Sequence, residues 1–297
     1  MKKPVSASVI GPGALGSAMI DLVSRHSGFT LRSVWGRRSD HSHIIDKTGN
    51  KQRPDRKFPY QESDLGQFVI ISVPDDQITR VTKRLSEADI SWNSRQIIHL
   101  SGSIDSSVLK PLANSGALTG SLHPLQTFTR GDTADRFAGI WFSMQGDNQI
   151  FPMLKKLIEP FGGRARILSS SQKSAMHLAA VFASNYLVSL MDVVTKITDK
   201  NGIDDGFGML EPIVQQTLQN IISKGSVQSL SGPVARGDLS TIEKHLKQLE
   251  ENPEYYRLYC QLGKIAATIA KESGQLNETH STAVRKVFES GLNFDEQ

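Results

Sequence analysis

The amino-acid sequence predicts an α/β domain with a parallel sheet, followed by an all-α domain. The length of 297 residues suits two domains of ordinary size. In the first half, short apolar runs alternate with helix-like segments, as they do where buried parallel strands alternate with helices. After residue 168 no β-rich run follows, and helix-like segments succeed one another. We therefore expect one domain over residues 1–168 and a second over residues 169–297.

The elements can be placed from their patterns of apolar residues. Strands are predicted at residues 7–10, 31–35, 68–73, 97–100, 140–144 and 166–168, and helices at residues 16–24, 77–87, 106–115 and 151–159. In the second domain we expect a long helix over residues 171–200, a helix that opens at Glu211 and Pro212, and another from Asn252 to near Gly274.

Composition excludes several classes of protein. With 38% hydrophobic and 22% charged residues, the chain is an ordinary globular sequence and not a disordered or fibrous one. Its net charge of +4 gives no basic face for nucleic acid. The single Cys260 excludes an internal disulfide, and no apolar leader precedes the first strand, so we expect a cytoplasmic protein. Histidine and cysteine spacing indicates no metal site.

Residues 174–191 contain no Asp, Glu, Lys or Arg and are long enough to raise the question of a membrane span. His177, Ser184, Asn185, Tyr186 and Ser189 make this segment too polar for lipid. We therefore expect a buried helix between the two domains and no membrane partner.

The first strand leads into a GxGxxG turn and a helix. Gly11 permits the tight turn, Gly13 lets a pyrophosphate approach the backbone, and Gly16 lets helix and strand pack closely. Ala14 and Leu15 lie between them, where the helix N-terminus would face the phosphate charge. This context predicts a dinucleotide site of the Rossmann type.

The end of the second strand predicts which dinucleotide binds. An NAD site would place Asp or Glu there, on the ribose hydroxyl. This chain has Arg37, Arg38 and Ser39 instead, and guanidinium groups suit a 2′-phosphate. We therefore predict NADP(H).

Other strand ends should face the same ligand, because ligands lie outside the carboxyl ends of parallel strands. We assign Val73, Pro74, Ser101 and Gly102 to the cofactor and Ser103 to the substrate, and Asp75 and Asp76 to helix capping.

Hydride transfer needs a proton donor besides the cofactor. His123 follows a predicted short strand and precedes Pro124, and its imidazole titrates near neutral pH. His177 and Asn185, eight residues apart, share roughly one face of the long helix beside Ser184. These are the candidate catalytic residues, although hydrogen bonds within a core would equally explain them.

The loop over residues 230–238 is a candidate for binding an anionic substrate group. Arg236 could hold a carboxylate with two hydrogen bonds. An ordinary turn, in which Asp238 caps the next helix, explains the same residues equally well. His99 is expected to be buried, and His26, His41, His43 and His280 are expected to be solvated.

These motifs resemble one known family. The Gly11–Gly16 turn, Arg37 to Ser39, Leu100 to Gly102, and the stretches 121–128, 179–187 and 231–238 look like the proteins with a Rossmann-like domain and a DUF2520 domain. The resemblance implies NADP-binding oxidoreductases similar in architecture to pyrroline-5-carboxylate reductase and to the 6-phosphogluconate dehydrogenase-like superfamily. It further implies a homodimer formed through the helical domain, with a small-molecule substrate between the domains.

The chain departs from the superfamily's hydroxyacid dehydrogenases, which carry a catalytic lysine on the first long helix. No lysine lies between Ser174 and Met191, and Lys173 at the helix start is expected to be too distant. The leading hypothesis is an NADP(H)-dependent oxidoreductase acting on a small polar C=O or C=N compound. A non-catalytic NADP sensor and a deazaflavin-linked NADP reductase are the alternatives.

Overall fold

The computed structural model describes residues 3–36, 43–45, 51–52, 58–59 and 61–292. Within them one sheet runs in the spatial order β4-β3-β2-β1-β5-β6-β7-β8-β9. Its strands are β1 (Val5–Ile10), β2 (Phe29–Trp35), β3 (His43–Ile45), β4 (Lys51–Gln52), β5 (Phe68–Ile71), β6 (Gln96–His99), β7 (Leu118–Pro124), β8 (Trp141–Gly146) and β9 (Arg164–Ile167).

The central strands β2, β1, β5, β6 and β7 are parallel, as the alternating pattern predicts. Strand β8 runs antiparallel to β7, and β3 and β4 extend the other edge in antiparallel pairs. The chain order reverses at β1, which has β2 on one side and β5 on the other. The carboxyl end of β1 is therefore the point where a doubly wound sheet binds ligands.

Helices cover the sheet on both faces, so the central strands β1, β5 and β6 are largely buried. One apolar cluster packs on α1 and α4, and a second packs on α2 and α3. These helices are α1 (Ala14–Arg25), α2 (Asp75–Ser86), α3 (Lys110–Asn114) and α4 (Phe151–Ile158).

After β9 the described chain is helical, which confirms the predicted fold class. The helices are α5 (Ser170–Val181), α6 (Leu187–Lys200), α7 (Gly206–Lys224), α8 (Pro233–Arg236), α9 (Leu239–Leu249), α10 (Pro253–Glu272) and α11 (Glu278–Leu292). The change from sheet to helix falls at the predicted residues 168–169. Contacts divide the chain later, into compact units Met1–Tyr186 and Leu187–Gln297, and the domain boundary stays a prediction.

The long helix runs from Ser170 to Lys200, as predicted, but with a π-helical turn at Phe182–Tyr186. Its predicted burial is wrong for the single chain, because none of its most apolar 18-residue window is buried. By length and composition it is the one helix among the described residues that could span a membrane, a test that core helices also pass. Within the described part of the chain, the apolar side chains of this window are therefore not fully covered.

Two predicted helix starts differ from the structure. Helix α7 begins at Gly206, so Pro212 lies inside it rather than in its first turn. A proline at this position lacks the N–H that would bond the carbonyl oxygen of Gly208, four residues earlier. At α2 the N-cap is Pro74, and Asp75 and Asp76 form the first turn instead of capping it.

His26 is also not solvated as predicted. It is buried, its Nε2 lies 2.8 Å from the Lys156 carbonyl, and its Nδ1 accepts the Gly28 amide at 2.8 Å. These bonds assign His26 a structural role at the start of β2. His280 is exposed, as expected.

Candidate functional site

The turn between β1 and α1 can be built only with glycine at two of its three motif positions. Gly11 has φ +98°, and a Cβ there would lie 2.4 Å from the Ser72 carbonyl oxygen. A Cβ on Gly16 would lie 2.0 Å from the carbonyl oxygen of Gly11. Both glycines therefore keep α1 tight against the ends of β1 and β5.

Gly13 is different, because it faces open space. Apart from its two neighbours in the chain, no described residue comes within 4 Å of the position where its Cβ would be. Gly13 is also the N-cap of α1, and no side chain caps the first-turn N–H groups there. Ala14 and Leu15 continue the turn at the helix start. An uncapped helix N-terminus with an approachable backbone fits a phosphate group, so these residues fit a bound dinucleotide.

The residues that would distinguish NADP from NAD are not in the described structure. Strand β2 spans Phe29–Trp35, and the described chain continues to Gly36. Arg37, Arg38 and Ser39 lie outside the described residues, and so does His41. Their role in binding a 2′-phosphate stays a prediction.

The ends of β5 and β6 meet beside this turn. Val73 and Pro74, which are predicted to contact the cofactor, lie between the end of β5 and the start of α2. Ser101 accepts the amides of Ser103 and Ile104 at 3.2 and 3.0 Å, which folds the chain after β6 into a tight turn. Ser103 is exposed and donates its hydroxyl to Asp75 at 2.5 Å, which links this turn to α2.

Gly102 lies between two histidines. A Cβ built on Gly102 would be 2.6 Å from Nε2 of His123 and 2.8 Å from Nδ1 of His177. The two ring centroids are 6.2 Å apart with an interplanar angle of 71°. The structure thus brings together three of the predicted site residues from β6, β7 and α5, with two ring nitrogens directed at one position.

The hydrogen bonding of His123 defines what its ring can do. Nδ1 lies 2.9 Å from the Leu100 carbonyl oxygen, so Nδ1 carries the proton and donates it there. Nε2 is left to exchange a proton with a ligand. Burial lowers the pKa of His123, with His177 and Lys173 adding to that effect and the bond to Leu100 opposing it. The ring is therefore neutral at pH 7.

Lys173 belongs to this site, contrary to the expectation that it lies too far away. Only 2% of it is exposed, and its Nζ donates to Ser121 Oγ at 2.9 Å and to the carbonyl of Ile104. Burial lowers its pKa to about 8, although the carboxylates of Asp105 and Asp75 act in the opposite direction. The sequence signal was present, since Lys173 and His177 are four residues apart on one helix face.

His99, next to Ser121 across the β6–β7 pair, is fully buried as predicted. Within the described part of the chain, neither of its ring nitrogens has a hydrogen-bond partner. Burial lowers its pKa to about 3, and the charge of Lys173 adds to this effect. His99 is therefore neutral in the folded protein near neutral pH.

Asp105 fastens α5 to the sheet. Its carboxylate accepts the Ser170 hydroxyl at the start of α5, the Ser107 amide at 2.8 Å and the Gln145 side-chain amide at 2.6 Å. These bonds, led by that from Ser170, hold the pKa of Asp105 well below its usual range. Nothing in the sequence singles out Asp105, because its partners Ser107, Gln145 and Ser170 lie far apart from one another in the chain.

The remaining predicted site residues are elsewhere. Asn185 lies in the π-helical turn, where its Oδ1 accepts the Ser184 hydroxyl at 2.9 Å. Arg236 is exposed at the end of α8 in the second unit, and Asp238 caps α9 by accepting the Thr241 amide at 3.1 Å. Among the described residues no cluster of His, Cys, Asp or Glu could hold a metal ion.

Comparison with known families supports this architecture. Residues 2–124 match the model of a Rossmann-like domain, and residues 140–266 match that of a domain of unknown function, DUF2520. The chain therefore matches the models of both domains that its motifs resemble. No curated protein is similar enough in sequence to be matched.

Solved structures share the fold over almost the whole chain. BF3122 from Bacteroides fragilis, whose assignment as an NADP oxidoreductase is itself provisional, has a TM-score of 0.70 at 21% identity over 90% of this chain and 98% of its own. Protein TM1727 from Thermotoga maritima has a TM-score of 0.66 at 26% identity over the same shares. A reductive aminase from Aspergillus terreus, in complex with NADPH and ethyl levulinate, has a TM-score of 0.55 at 13% identity over 99% and 95%.

Proposed function

We propose that this chain, which carries a Rossmann-like and a DUF2520 domain, is an NADP(H)-dependent oxidoreductase acting on a small polar C=O or C=N compound. One observation carries the proposal. An open glycine turn that fits a dinucleotide lies at the end of β1, and a pair of histidines meets over Gly102 at the ends of the nearby strands β6 and β7. The names of the structural neighbours support the same class of reaction.

In this proposal α1 holds the pyrophosphate at its uncapped N-terminus, with Gly13 allowing close approach. The bound nicotinamide supplies or accepts the hydride. Arg37, Arg38 and Ser39 hold the 2′-phosphate, and Val73, Pro74, Ser101 and Gly102 line the rest of the cofactor site. Ser103 and Arg236 bind the substrate, and His177 and Asn185 orient it. The substrate is proposed to lie between the domains, and only the family resemblance supports this position.

His123 transfers the proton to and from the substrate. Its bond to Leu100 fixes the ring and leaves Nε2 beside Gly102. In the reducing direction an imidazolium at Nε2 donates a proton to the substrate oxygen or nitrogen, and in the oxidising direction the neutral ring accepts one. Because the pKa is lowered, the neutral ring is the resting form at pH 7.

The cofactor assignment is tested by calorimetric titration of the protein with NADPH and with NADH. We expect NADPH to bind at least about tenfold more tightly, since its 2′-phosphate adds charged hydrogen bonds. The double variant Arg37→Ala and Arg38→Ala should lose this preference and still bind NADH. Lys83→Met, which removes one exposed positive charge on α2, is the control. Equal affinity of the parent protein for both cofactors would contradict the assignment.

The proton-transfer role is tested by screening a mixture of small carbonyl and imine compounds for NADPH oxidation. For a substrate so found, reduction should slow as the pH rises through the lowered pKa of His123, because the imidazolium is lost. The reverse oxidation should speed up over the same interval and level off near neutral pH. His123→Gln should remove this pH dependence and most of the turnover, whereas His280→Gln should change neither. Binding of NADPH without turnover of any compound would favour the sensor instead.

A further inference from the structure

The ammonium group of Lys173 joins three separate parts of the site. Its Nζ donates to the carbonyl of Ile104, directly after the turn that contains Gly102. It also donates to Ser121 Oγ, 2.9 Å away on β7, two residues before His123. The lysine itself is in the first turns of α5. One buried group thus ties the β6 turn, the end of β7 and the start of α5 together.

The same contact sets the orientation of His177. Residues four apart on a helix lie on one face, so fixing Lys173 against the sheet turns His177 toward Gly102 and His123. The bond from Ser170 to Asp105 anchors the same helix end at a second point. With two anchors in its first turn, α5 can neither rotate nor slide without moving His177 away from His123.

Burying the positive charge of Lys173 costs free energy, so packing alone does not explain why a lysine stands at this position. The group is 2% exposed, and both its described hydrogen bonds go to uncharged oxygens. Burying an ammonium in this way is unfavourable, whereas an apolar side chain of similar length would fill the space without that cost. The charged and titratable groups around it are Asp75 on α2, Asp105 before α3, His99 on β6 and His123 on β7.

We propose that Lys173 is a positioning residue of this site, which holds His177 against His123 through its contacts with Ile104 and Ser121. The site meant is that of the proposed function, but the contacts and charges are independent of any turnover. Lys173 does not reach the substrate in this role, since its side chain is buried and two of its three N–H donors are bonded to Ser121 and Ile104. It acts through the two histidines.

The experiment follows the histidine rings by NMR in the full-length protein labelled with ¹⁵N-histidine, without cofactor or substrate. The His123 and His177 signals are assigned with His123→Gln and His177→Gln. In Lys173→Met, which keeps the length and removes the charge, the titration midpoint of His123 should move up by several tenths of a pH unit. The magnetisation transfer between the two rings should weaken. In Lys173→Arg the midpoint should stay close to that of the parent, and in Lys83→Met nothing should change.

A folded Lys173→Met protein with an unchanged His123 midpoint and an unchanged ring contact would overturn the proposal. If that variant does not fold, Ser121→Ala provides the second test, because it removes one acceptor and leaves the charge. It should speed hydrogen exchange at the amides of residues 102–106 and weaken the ring contact while the His123 midpoint stays. Unchanged exchange and contact would again refute the positioning role. A failure of the proposed function would appear in the cofactor and turnover assays and leave these measurements intact.

Discussion

At the scale of single residues, the burial of His99 makes the free energy of unfolding depend on pH. It is fully buried without a hydrogen-bond partner among the described residues, and its pKa is about 3 in the folded protein. In the unfolded chain a histidine titrates near 6.5. Between these values the unfolded chain binds more protons, so the free energy of unfolding falls as the pH drops from 6.5 toward 3, by on the order of 4 kcal/mol in all.

Urea unfolding between about pH 4.5 and about pH 7.5 measures this effect. His99→Phe fills the same space without nitrogens, so its stability should depend less steeply on pH over this interval. His280→Gln, at an exposed position, should keep the slope of the parent. Equal slopes for parent and His99→Phe would mean that His99 is not the buried group responsible.

Individual site residues were only partly predictable from the sequence. His123 and His177 could be selected because each is a titratable group beside an apolar run, but their meeting at Gly102 depends on how α5 returns over the sheet. Lys173 was dismissed for its position at a helix end. Its contacts with Ile104 and Ser121 join residues 69 and 52 positions away, and helical periodicity carries no information on such distances.

At the scale of elements, the turn between β1 and α1 has glycines with two different roles. The fold requires Gly11 and Gly16, whereas we expect Gly13 to be needed only for binding. Gly13 has φ −74° and ψ −164°, which any residue adopts, and it occupies the N-cap of α1 in open space. Gly13→Asp should therefore leave the fold intact and stabilise α1 by roughly a few tenths of a kcal/mol, because aspartate is a somewhat better N-cap than glycine. The same carboxylate would repel a pyrophosphate, so NADPH affinity should fall by about a hundredfold.

Thermal unfolding and calorimetric titration of the same samples check both outcomes. Gly13→Ser supplies a cap without charge, and should bind NADPH more tightly than Gly13→Asp. Gly16→Ala should instead lose stability, since its Cβ would meet the Gly11 carbonyl oxygen at 2.0 Å. Undiminished NADPH binding by Gly13→Asp would show that this turn is not the phosphate site.

The elements were more predictable than the residues, for a physical reason. Buried parallel strands are apolar on both faces, so β1, β2, β5, β6 and β8 stand out in the sequence close to their observed bounds. Their spatial order does not, because it depends on long-range pairing. The start of α7 was misplaced because a proline usually marks a first turn, whereas Pro212 lies inside this helix.

At the scale of the whole molecule, the second unit leaves several large apolar side chains exposed on neighbouring helices. On α7, Met209, Ile213 and Ile222 are 70%, 62% and 79% exposed, and Val188 on α6 is 70% exposed. Patches of this kind mark surfaces that another molecule covers. We predict that a second copy of the chain covers them, since the resemblance implies a homodimer and apolar helix faces are typical of permanent interfaces.

Light scattering during gel filtration should therefore report a dimer for the parent protein. The double variant Ile213→Glu and Ile222→Glu should be a monomer in the same measurement. Because a permanent dimer is stabilised by association, the midpoint of thermal unfolding should rise with protein concentration for the parent and not for the variant. Gln216→Glu on the same helix is the control for added charge, since this side chain is already polar and exposed. A monomeric parent, or a parent protein that partitions into lipid vesicles through the Ser170–Lys200 helix, would contradict the dimer and leave the membrane as the cover of this surface.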